Sequence, residues 1–256
     1  MTTADGPQLD IVIPVWNEGS AFVDVLDALR SSVHIACFRV LVCYDSPDDT
    51  TLECIKQYPA SAMHIQLVLN RGKGVHSAIL TGFDVSTAPA VLVYPGDDTF
   101  NAGIIDSMYA KFQAGCDLVA ASRFIPGGCM KDCPWLKALL VRTSAFALHH
   151  FARIPTHDPT NGFRLFARRV LERIPVESQA GFTYSIELLV KTHRLRWKIC
   201  EVPAQWFERK HGTSRFRVLR WLPAYLRWFF YAFETTYLRR GPRTVGVRAS
   251  KAAPHG

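Results

Sequence analysis

Two adjacent carboxylates, Asp97 and Asp98, are the residues whose position first suggests chemistry. They follow an apolar run at residues 91–94 and the turn residues Pro95 and Gly96. The apolar run is typical of a buried strand that ends at the turn. In an α/β protein, residues just after the carboxyl end of a strand face the ligand crevice, where two carboxylates suit a divalent cation and, through it, a phosphate. The alternative is a solvated acidic turn, and the stretch taken alone favours that alternative.

The elements that would position this turn are repeated strand–helix units. Apolar and β-branched runs predict strands at residues 11–15, 38–44, 65–69, 91–94, 117–122 and 197–202. Apolar residues at helical spacing predict helices at residues 22–29, 50–58, 78–82, 104–114, 136–151 and 184–193. Residues 165–174 form a short segment of unassigned type. The alternation predicts a mainly parallel sheet covered by helices, with the polar loops after the strands gathered at one edge.

Length and charge limit the classes of protein. With 256 residues, 48% of them hydrophobic, the chain can bury the core of one large domain, or of one domain and a tail. The net charge of +8 favours acidic partners, namely phosphorylated substrates, an anionic membrane surface or nucleic acid. No nucleic-acid-binding motif is recognised, so we expect no nucleic-acid partner. The polar residues 1–9 do not resemble a secretory signal, and no apolar run is long enough to span a bilayer as a helix.

Seven cysteines are scattered along the chain without the spacing of a disulfide framework, which predicts free thiols in a reducing compartment. Cys129 and Cys133 lie close together, but no second pair completes a zinc-binding pattern. We therefore interpret these two residues as ordinary thiols.

The polar loops carry six short motifs in order along the chain. They are I-P-V-W-N-E at residues 13–18, S-P-D-D-T at 46–50, R-G-K-G at 71–74 followed by Ala78 and G-F at 82–83, S-R-F at 122–124 followed by G-G at 127–128, N-G-F-R at 161–164, and Glu187 followed by E-V-P at 201–203, Arg209 and G-T-S-R at 212–215. Together they resemble glycosyltransferase family 2, and within it the polyprenyl-phosphate sugar synthases of the dolichol-phosphate mannose synthase kind. The resemblance covers residues 11–216, and six motifs in the same order are specific although each is weak singly.

The resemblance implies the nucleotide-binding glycosyltransferase A fold, a Rossmann-like α/β fold with a mostly parallel central sheet flanked by helices. It also implies a nucleotide diphosphate sugar as the donor. Pro14, Trp16 and Glu18 would then line the base and ribose pocket, where the Trp16 ring can stack and the Glu18 carboxylate can accept hydrogen bonds. The structural alternatives are core packing for Trp16 and capping of the next helix for Glu18.

The resemblance assigns further donor contacts outside that pocket. The second strand of the family usually ends in two aspartates, but here Cys43 and Tyr44 take those positions. Asp45, one place later, is the residue expected to reach the base. Other residues that would bind the donor are Lys73, Gly96, Ser214 and Arg215. The alternative for Lys73 is the capping of a helix C-terminus.

The metal ligands are a second departure from the family pattern. The D-x-D motif of the family aligns with residues 95–97, so Pro95 replaces its first aspartate. Asp97 is therefore predicted as the first metal ligand and Asp98, which follows directly, as the second. Mg²⁺ or Mn²⁺ is the expected ion, because carboxylate oxygens and a diphosphate suit both.

The implied reaction is the transfer of a hexose, mannose or glucose, to the phosphate of a polyprenyl acceptor. Negative charge grows on the leaving diphosphate, so a metal and cationic side chains must stabilise it. The predicted catalytic residues are Asp97, Asp98, Arg123 and Arg209. Guanidinium groups match phosphate in a bidentate manner, so Arg123, Arg209 and Arg215 are candidates for binding the donor and acceptor phosphates. A solvated basic face is the alternative for all three arginines.

A phosphate acceptor is already anionic, so it needs orientation more than it needs a strong base. Asp158 is the candidate if a base is used. Three histidines are interpreted as structural or loop residues, namely His76, His157 and His211.

The C-terminal segment bears on the acceptor. Residues 10–215 are predicted to form the catalytic domain after an N-terminal extension at residues 1–9, and residues 241–256 a disordered tail. Residues 216–240 mix aromatic side chains with arginines, which is typical of amphipathic helices at a lipid interface. Packing on the protein's own sheet or on a second copy is the alternative, and a homo-oligomer is compatible with it. The expected location is the cytoplasmic face of a membrane, by peripheral attachment.

Three other functions are compatible with parts of the pattern. The departures at Cys43, Tyr44 and Pro95 keep open a soluble family 2 transferase with a non-lipid acceptor. A nucleotide-sugar-binding protein without transferase activity is the second. A nucleotidyltransferase is the third, but it is expected to carry a Gly-rich phosphate loop after the first strand, where this chain has W-N-E at residues 16–18.

Overall fold

The computed structural model describes residues 6–59, 63–207 and 218–248. The strands are β1 (Leu9–Pro14), β2 (Phe38–Tyr44), β3 (Ile65–Leu69), β4 (Ala90–Val93), β5 (Leu118–Ser122), β6 (Cys129–Lys131), β7 (Arg164–Ala167), β8 (Ile199–Pro203) and β9 (Gln205–Phe207). The α-helices are α1 (Ala21–Ser32), α2 (Thr50–Gln57), α3 (Gly74–Val85), α4 (Ile105–Gln113), α5 (Trp135–Phe146), α6 (Arg168–Arg173), α7 (Thr183–Arg194) and α8 (Val218–Tyr237). A π-helical turn, Ala147–Phe151, continues α5.

The central sheet has the strand order β3-β2-β1-β4-β7-β5-β8 within the described residues. Its pairings are parallel, except those that β7 makes with β4 and β5. The predicted mostly parallel α/β sheet is therefore confirmed. Residues 165–174, which the sequence left unassigned, contribute the antiparallel strand and helix α6. Their first residues are apolar and are buried between two neighbouring strands.

Both faces of the sheet are covered because the strands are apolar on both faces. In β1, Ile11 and Ile13 contribute to one hydrophobic core, whereas Val12 between them contributes to the other. Side chains of α1 and α4 cover the first core, and side chains of α3, α7 and α8 cover the second. Burial on two faces explains the continuous apolar runs that predicted the strands. Because these strands run parallel, the loops that follow them lie at one edge of the sheet.

A second, two-stranded sheet pairs β6 with β9 in parallel. Asn101, in the loop after β4, fastens this sheet to the domain: its side-chain nitrogen donates to Gln205 O at 2.6 Å, and its side-chain oxygen accepts from Gln205 N at 2.8 Å. The sequence did not predict these strands, because three residues are too few to show a period. The small sheet lies beside the turn that carries the two aspartates.

Helix α8 is one continuous helix, whereas the sequence predicted more than one amphipathic helix in this segment. Trp228 and Ala232 are buried in the second core, whereas Leu226, Phe230 and Tyr237 are exposed. The helix thus packs on the protein and also leaves an apolar strip at the surface. Among the described residues, no helix is both long enough and apolar enough to cross a membrane.

Residues 241–248, the described part of the predicted tail, are mostly exposed and contact the domain at two points. Val245 is buried, and the backbone nitrogen of Arg248 donates to Arg173 O at 2.8 Å. Residues 249–256 lie outside the described part of the chain.

Cys116 and Cys200 form a disulfide, which corrects the prediction of free thiols at these two positions. Cys116 precedes β5 and Cys200 lies in the neighbouring strand β8, so their Cα atoms are 6.1 Å apart although 84 residues separate them. The separation falls in the range that a disulfide requires. The spacing of cysteines along the chain cannot reveal such a pair, because strand order in the sheet creates the contact.

Candidate active site

The loops after β1 and β2 enclose a cleft of about 200 Å³. Its lining residues are Trp16, Asn17, Ser46, Asp48 and Asp49. The Trp16 side chain is 47% exposed, which rules out the alternative of core packing for this residue. An open aromatic ring face is what stacking on a planar ligand requires. The cleft lies where the sequence predicts the base and ribose pocket.

Asp49, which sequence analysis did not single out, holds the two walls of this cleft together. Its buried carboxylate accepts hydrogen bonds from Asn17 N at 3.0 and 3.1 Å and, as the N-cap of α2, from Thr51 N at 2.9 Å. Glu18 N donates to the Thr51 hydroxyl at 3.0 Å, and Thr50 N donates to the side-chain oxygen of Asn17 at 3.1 Å. The signal available in the sequence was the Asp before a helix start, a common N-cap pattern.

Asp49→Ala is expected to weaken nucleotide binding about tenfold, an affinity loss of about 1.4 kcal/mol, because the loop that carries Trp16 loses its anchor. The loss of the N-cap should also lower the free energy of unfolding by about 1 kcal/mol. Calorimetric titration with UDP and GDP measures the first effect, and urea unfolding measures the second. Asp24→Ala, which removes an exposed first-turn acid of α1, is the matched control. Full affinity in Asp49→Ala would refute the anchoring role.

Asp45 is directed toward the loop after β3 and does not line the cleft. Its carboxylate accepts hydrogen bonds from the Asn70 side-chain nitrogen at 2.5 Å and from Gly74 N at 2.7 Å. Asn70 in turn accepts a hydrogen bond from Gly72 N at 3.0 Å. The structure thus places Asp45 as a support of the loop that carries Lys73.

Lys73 lies exposed directly before the first residue of α3, so it cannot cap a helix C-terminus. The loop is tightly built: Gly74 has a φ of 81°, and a Cβ on Gly72 would clash with the Ser77 hydroxyl. The first backbone N–H of α3, at Gly74, is taken by the Asp45 carboxylate, so an anion would meet the exposed Lys73 ammonium and the N–H groups that follow in the first turn. The loop therefore presents positive charge at the same sheet edge as the cleft.

The turn after β4 gives the two neighbouring aspartates different roles. The Asp98 carboxylate accepts hydrogen bonds from Phe100 N and Asn101 N, both at 2.9 Å, and from the Asn101 side chain at 2.6 Å. The backbone oxygen of Asp98 accepts from the hydroxyl of the buried Tyr94 at 2.7 Å. The Asp97 side chain is exposed. Asp98 therefore builds the turn, and Asp97 is the carboxylate that the turn presents.

Gly96 holds this turn against the end of β1. A Cβ on Gly96 would lie 3.0 Å from Pro14 O, so only glycine allows this approach without a shift. Divalent cations in phosphate-transfer sites are commonly held by one or two carboxylates, with substrate phosphates and water completing the set. Asp97 fits this mode. No group of three or more His, Cys, Asp or Glu that could hold a metal occurs in the described ranges, so most ligands would come from the diphosphate and water.

Asp98→Ala is expected to lower the free energy of unfolding by about 2 kcal/mol, because three N–H groups lose their charged acceptor. Burial raises the pKa of the Asp98 carboxyl, and the hydrogen bonds from Asn101 and Phe100 oppose that rise. Asp97→Ala, the neighbouring exposed carboxylate, should stay within about 0.5 kcal/mol of the wild type. Urea unfolding of both variants measures the difference, and equal stabilities would contradict the assignment of Asp98 to the turn.

Arg123 is engaged by a buried carboxylate. Its Nε and Nη2 donate to the two oxygens of Asp158 at 2.6 and 2.8 Å, and Nη2 also donates to the Thr160 hydroxyl at 2.8 Å. Burial alone would raise the pKa of the Asp158 carboxyl, but the charge and hydrogen bonds of Arg123 hold that pKa below its usual range. Asp158 is therefore an ionised, fully buried partner of Arg123, which corrects its prediction as a candidate base.

Two further motif residues, Arg164 and Glu187, are buried and hold neighbouring loops in place. Arg164 donates from Nη2 to Pro159 O at 2.6 Å, and burial lowers the pKa of its guanidinium to about 10. Glu187 accepts hydrogen bonds from Lys191 Nζ and from Glu177 N, both at 2.7 Å. Both side chains fasten loops to the domain, so their contribution to the site is indirect.

The described histidines have the structural contacts that were predicted. His157 donates from its backbone nitrogen to the Glu201 carboxylate at 2.9 Å, and its ring Nδ1 lies 2.6 Å from the same group. His76 is buried, and its Nδ1 lies 3.1 Å from Gly181 O. His211 lies outside the described residues.

Three predicted site residues, Arg209, Ser214 and Arg215, also lie outside the described residues, so their roles stay predictions. The structure brings the other predicted residues to one sheet edge in four groups. Pro14 ends β1 and is followed by Trp16 and Glu18, Asp45 and Lys73 follow β2 and β3, and Gly96, Asp97 and Asp98 follow β4. Arg123 follows β5, on the far side of β7 from that turn.

The comparison with solved structures concerns the fold. Glucosyl-3-phosphoglycerate synthase from Mycobacterium tuberculosis in complex with UDP superposes with a TM-score of 0.62 at 19% identity, over 89% of this chain and 80% of that one. The same enzyme with Mn²⁺, UDP-glucose and glycerol 3-phosphate gives a TM-score of 0.61 at 20% identity, over 90% and 80% of the two chains. The predicted glycosyltransferase A fold is thereby confirmed.

The sequence comparisons concern the family. Polyprenol monophosphomannose synthase from Mycolicibacterium smegmatis is 29% identical over 80% of this chain and 79% of its own length. Dolichol-phosphate mannosyltransferase from Pyrococcus furiosus is 24% identical to this chain. The match covers 86% of this chain and 64% of the length of that relative. The profile described as Glycosyl transferase family 2 matches residues 10–175, well over half of the sequence. The strand order and the positions of the motif loops agree with this match. The chain belongs to glycosyl transferase family 2.

Proposed function

We propose that the chain transfers a hexose, mannose or glucose, from a nucleotide diphosphate sugar to the phosphate of a polyprenyl acceptor. The observation that carries this proposal is the similarity, over 80% of the chain, to a relative named polyprenol monophosphomannose synthase. The donor is further supported by the UDP and UDP-glucose complexes of one enzyme with the same fold. The open Trp16 cleft at the sheet edge is a suitable place for a nucleotide. We place the protein at the cytoplasmic face of a membrane, attached peripherally.

The donor is proposed to lie across the ends of β1 to β4. Trp16 stacks on the base, and Glu18 accepts hydrogen bonds from the ribose or the base. Lys73 and the N-terminus of α3 attract the diphosphate. Pro14 and Gly96 set the distance between the cleft and the turn after β4, since the two backbones touch there. Asp45 acts on the donor through the loop that it supports.

Mg²⁺ or Mn²⁺ is proposed to bind at Asp97, and when bound it neutralises charge on the leaving diphosphate. Asp98 is the weaker ligand candidate, because three N–H groups already occupy its carboxylate. Arg123 lies further along the sheet edge, but Asp158 and Thr160 hold its guanidinium, so Arg123 is proposed to act on the acceptor phosphate only through the loop after β5 that it fixes. The remaining phosphate contacts are proposed for Arg209, Ser214 and Arg215.

In the proposed reaction, an oxygen of the acceptor phosphate attacks the anomeric carbon of the sugar. The bond from that carbon to the diphosphate oxygen breaks, and its electron pair leaves with the nucleoside diphosphate. The attacking phosphate oxygen is already anionic at neutral pH, so no proton has to be removed. The protein must therefore orient two anionic groups, and the engagement of Asp158 by Arg123 agrees with a reaction that needs no base there.

A panel of GDP- and UDP-sugars with polyprenyl phosphate as acceptor tests this proposal. Each donor carries a radiolabelled sugar, and the label is followed into the organic phase in the presence of Mn²⁺ or Mg²⁺. We expect one donor to give a lipid-linked product. Hydrolysis of the donors, without any lipid-linked product, would refute the proposal.

A second candidate acceptor is a small water-soluble phosphate. It is favoured by the fold similarity to glucosyl-3-phosphoglycerate synthase, whose solved complexes include glycerol 3-phosphate. The replacement of the first family aspartate by Pro95 also indicates a changed donor loop. A soluble acceptor would leave the labelled product in the aqueous phase.

A further inference from the structure

Helix α5 exposes most of its large apolar side chains instead of burying them. Its buried side is narrow, and Ala145 is the buried residue within the helix itself. The opposite side, which we call the outer face of α5, consists of Trp135, Leu136, Leu139, Leu140 and Phe146, all exposed. Trp135 is 77% exposed and Phe146 is 56% exposed. Contiguous exposed apolar side chains of this size mark an interaction surface.

The polar atoms on this side of the helix are already satisfied. The Thr143 hydroxyl donates to Leu139 O at 2.8 Å, and the Ser144 hydroxyl donates to Val141 O at 3.0 Å. Such hydroxyls can enter an apolar environment without losing a hydrogen bond to water. The outer face of α5 is therefore apolar in its atoms as well as in its residue types.

The charged residues within α5 and the π-helical turn that continues it have one sign, whereas the exposed Asp132 lies before the helix. Between Cys133 and His157 the sequence contains Lys137, Arg142 and Arg153 but no Asp or Glu. A two-fold contact between two copies brings the same patch of each copy together, so it would set these cations near their own equivalents without a carboxylate from α5 to pair them. An anionic surface complements the same charges, because arginine and lysine stems lie along apolar surface while their heads meet anionic groups.

The helix also adjoins the loops that frame the proposed site. Lys137 Nζ lies 4.8 Å above the ring of Trp206 in β9, and the Arg142 guanidinium carbon lies 5.6 Å from the ring of Phe124, the residue after Arg123. The Asn101 side-chain nitrogen donates hydrogen bonds both to the backbone oxygen of Gln205, which precedes Trp206, and to the Asp98 carboxylate. A ligand surface on α5 would therefore lie beside the turn that presents Asp97.

We propose that the outer face of α5 docks the protein on an anionic lipid surface, so that the phosphate of a lipid acceptor meets the site from the α5 side. The proposal rests on the proposed function both for the acceptor and for peripheral attachment to a membrane, and it goes further by assigning that attachment to the outer face of α5. Helix α8 adds to the same attachment at the far end of this segment, where the Thr236 hydroxyl donates to Ala152 O at 2.7 Å. Exposed tryptophan and leucine side chains then enter the boundary between headgroups and acyl chains.

Vesicle binding of the whole chain tests this proposal without any donor or acceptor. Phosphatidylcholine vesicles that contain phosphatidylglycerol are sedimented with the wild type and with the double variant Leu139→Glu/Leu140→Glu. We expect the wild type to bind and the variant to lose about tenfold or more in partition coefficient, because two carboxylates enter the outer face. Leu67→Glu is the matched control, since Leu67 is an exposed leucine in β3, at the opposite edge of the sheet from β8. We expect this control to bind as the wild type does.

A second measurement keeps the test valid if the double variant is unstable. Vesicles that contain brominated phosphatidylcholine quench tryptophans that enter the bilayer boundary. We expect quenching of the wild type and a clear loss of quenching in Trp135→Phe. Equal quenching in both proteins would place the contact elsewhere and overturn the proposal. Sedimentation velocity tests whether a second copy of the chain occupies the outer face of α5 instead. A wild-type dimer that binds no vesicles and that Leu139→Glu/Leu140→Glu converts to a monomer would assign the face to a second copy and overturn the proposal.

The readouts also separate this inference from the proposed function. Vesicle binding that is lost in the double variant, together with no transfer to polyprenyl phosphate in detergent, would support the docking and refute the proposed acceptor. Transfer in detergent by a protein that binds no vesicles would overturn the docking and the peripheral attachment, and it would leave the proposed transfer reaction intact.

Discussion

Asp97→Asn is expected to lower the rate of hexose transfer about a thousandfold, with little change in stability. Asp97 is the exposed carboxylate of the turn after β4, and the proposed metal would bind there beside the leaving diphosphate. An amide removes the negative charge and keeps the shape of the side chain, so the loss would report on the metal. Turnover of the donor, measured over a range of Mn²⁺ concentrations, is the primary readout.

Nucleotide binding provides the control for this variant. Calorimetric titration with the nucleoside diphosphate should show tighter binding in the presence of Mn²⁺ for the wild type and no effect of Mn²⁺ for Asp97→Asn. Asp24→Asn, an exposed carboxylate on α1, should behave as the wild type. If Asp97→Asn keeps both its turnover and its dependence on Mn²⁺, the metal is not bound at this turn.

Asp158→Ala is expected to lower the free energy of unfolding by about 3–5 kcal/mol, the largest stability effect we predict. The variant leaves the Arg123 guanidinium buried without its partner, and it removes the acceptor of Arg123 N and of the Thr160 hydroxyl, both at 3.0 Å. Asp84→Ala breaks an exposed ion pair to Arg71 and should change stability by less than about 1 kcal/mol. Urea unfolding compares the two variants, and a similar small effect for both would show that the buried pair contributes little.

The pH dependence of stability offers a separate check on Asp158. The folded-state pKa of its carboxyl is lowered by Arg123, so the unfolded state takes up the proton first as the pH falls. The stabilisation by this pair is therefore complete above the unfolded-state pKa, about 4, and is lost as the pH falls through the folded-state value. We expect the unfolding midpoint of the wild type to drop below about pH 4 and this component to be absent from Asp158→Ala. The same acid-dependent drop in both proteins would assign it to other carboxylates.

The fold was predictable where local signals were long enough. The apolar runs of β1, β2 and β3 and the helical spacing of α1 and α4 are strong, because each has a period or a length that a single sequence displays. Strand β7 could not be placed, since a short apolar run does not reveal its direction or its neighbours. The Cys116–Cys200 disulfide was missed for a related reason, because only the strand order brings β5 and β8 together.

The site was predictable at the level of loops and less so at the level of contacts. The motifs placed Trp16, Lys73 and Asp97 at the carboxyl ends of strands, where the structure has them. The hydrogen bonds of Asp98 and Asp158 decide which carboxylates face ligand and which face the protein. Such bonds depend on residues distant in sequence, as Arg123 is from Asp158, and a motif does not contain that information.

The most direct test of the central claim is a competition between two acceptors in one reaction. The whole chain is incubated with the radiolabelled donor that it turns over, Mn²⁺, polyprenyl phosphate in detergent and an equal concentration of 3-phosphoglycerate, and the phases are then separated. The proposed function predicts that most of the transferred label enters the organic phase as a lipid-linked sugar and that Asp97→Asn abolishes this transfer. Label that accumulates on 3-phosphoglycerate instead, with none in the lipid, would contradict it.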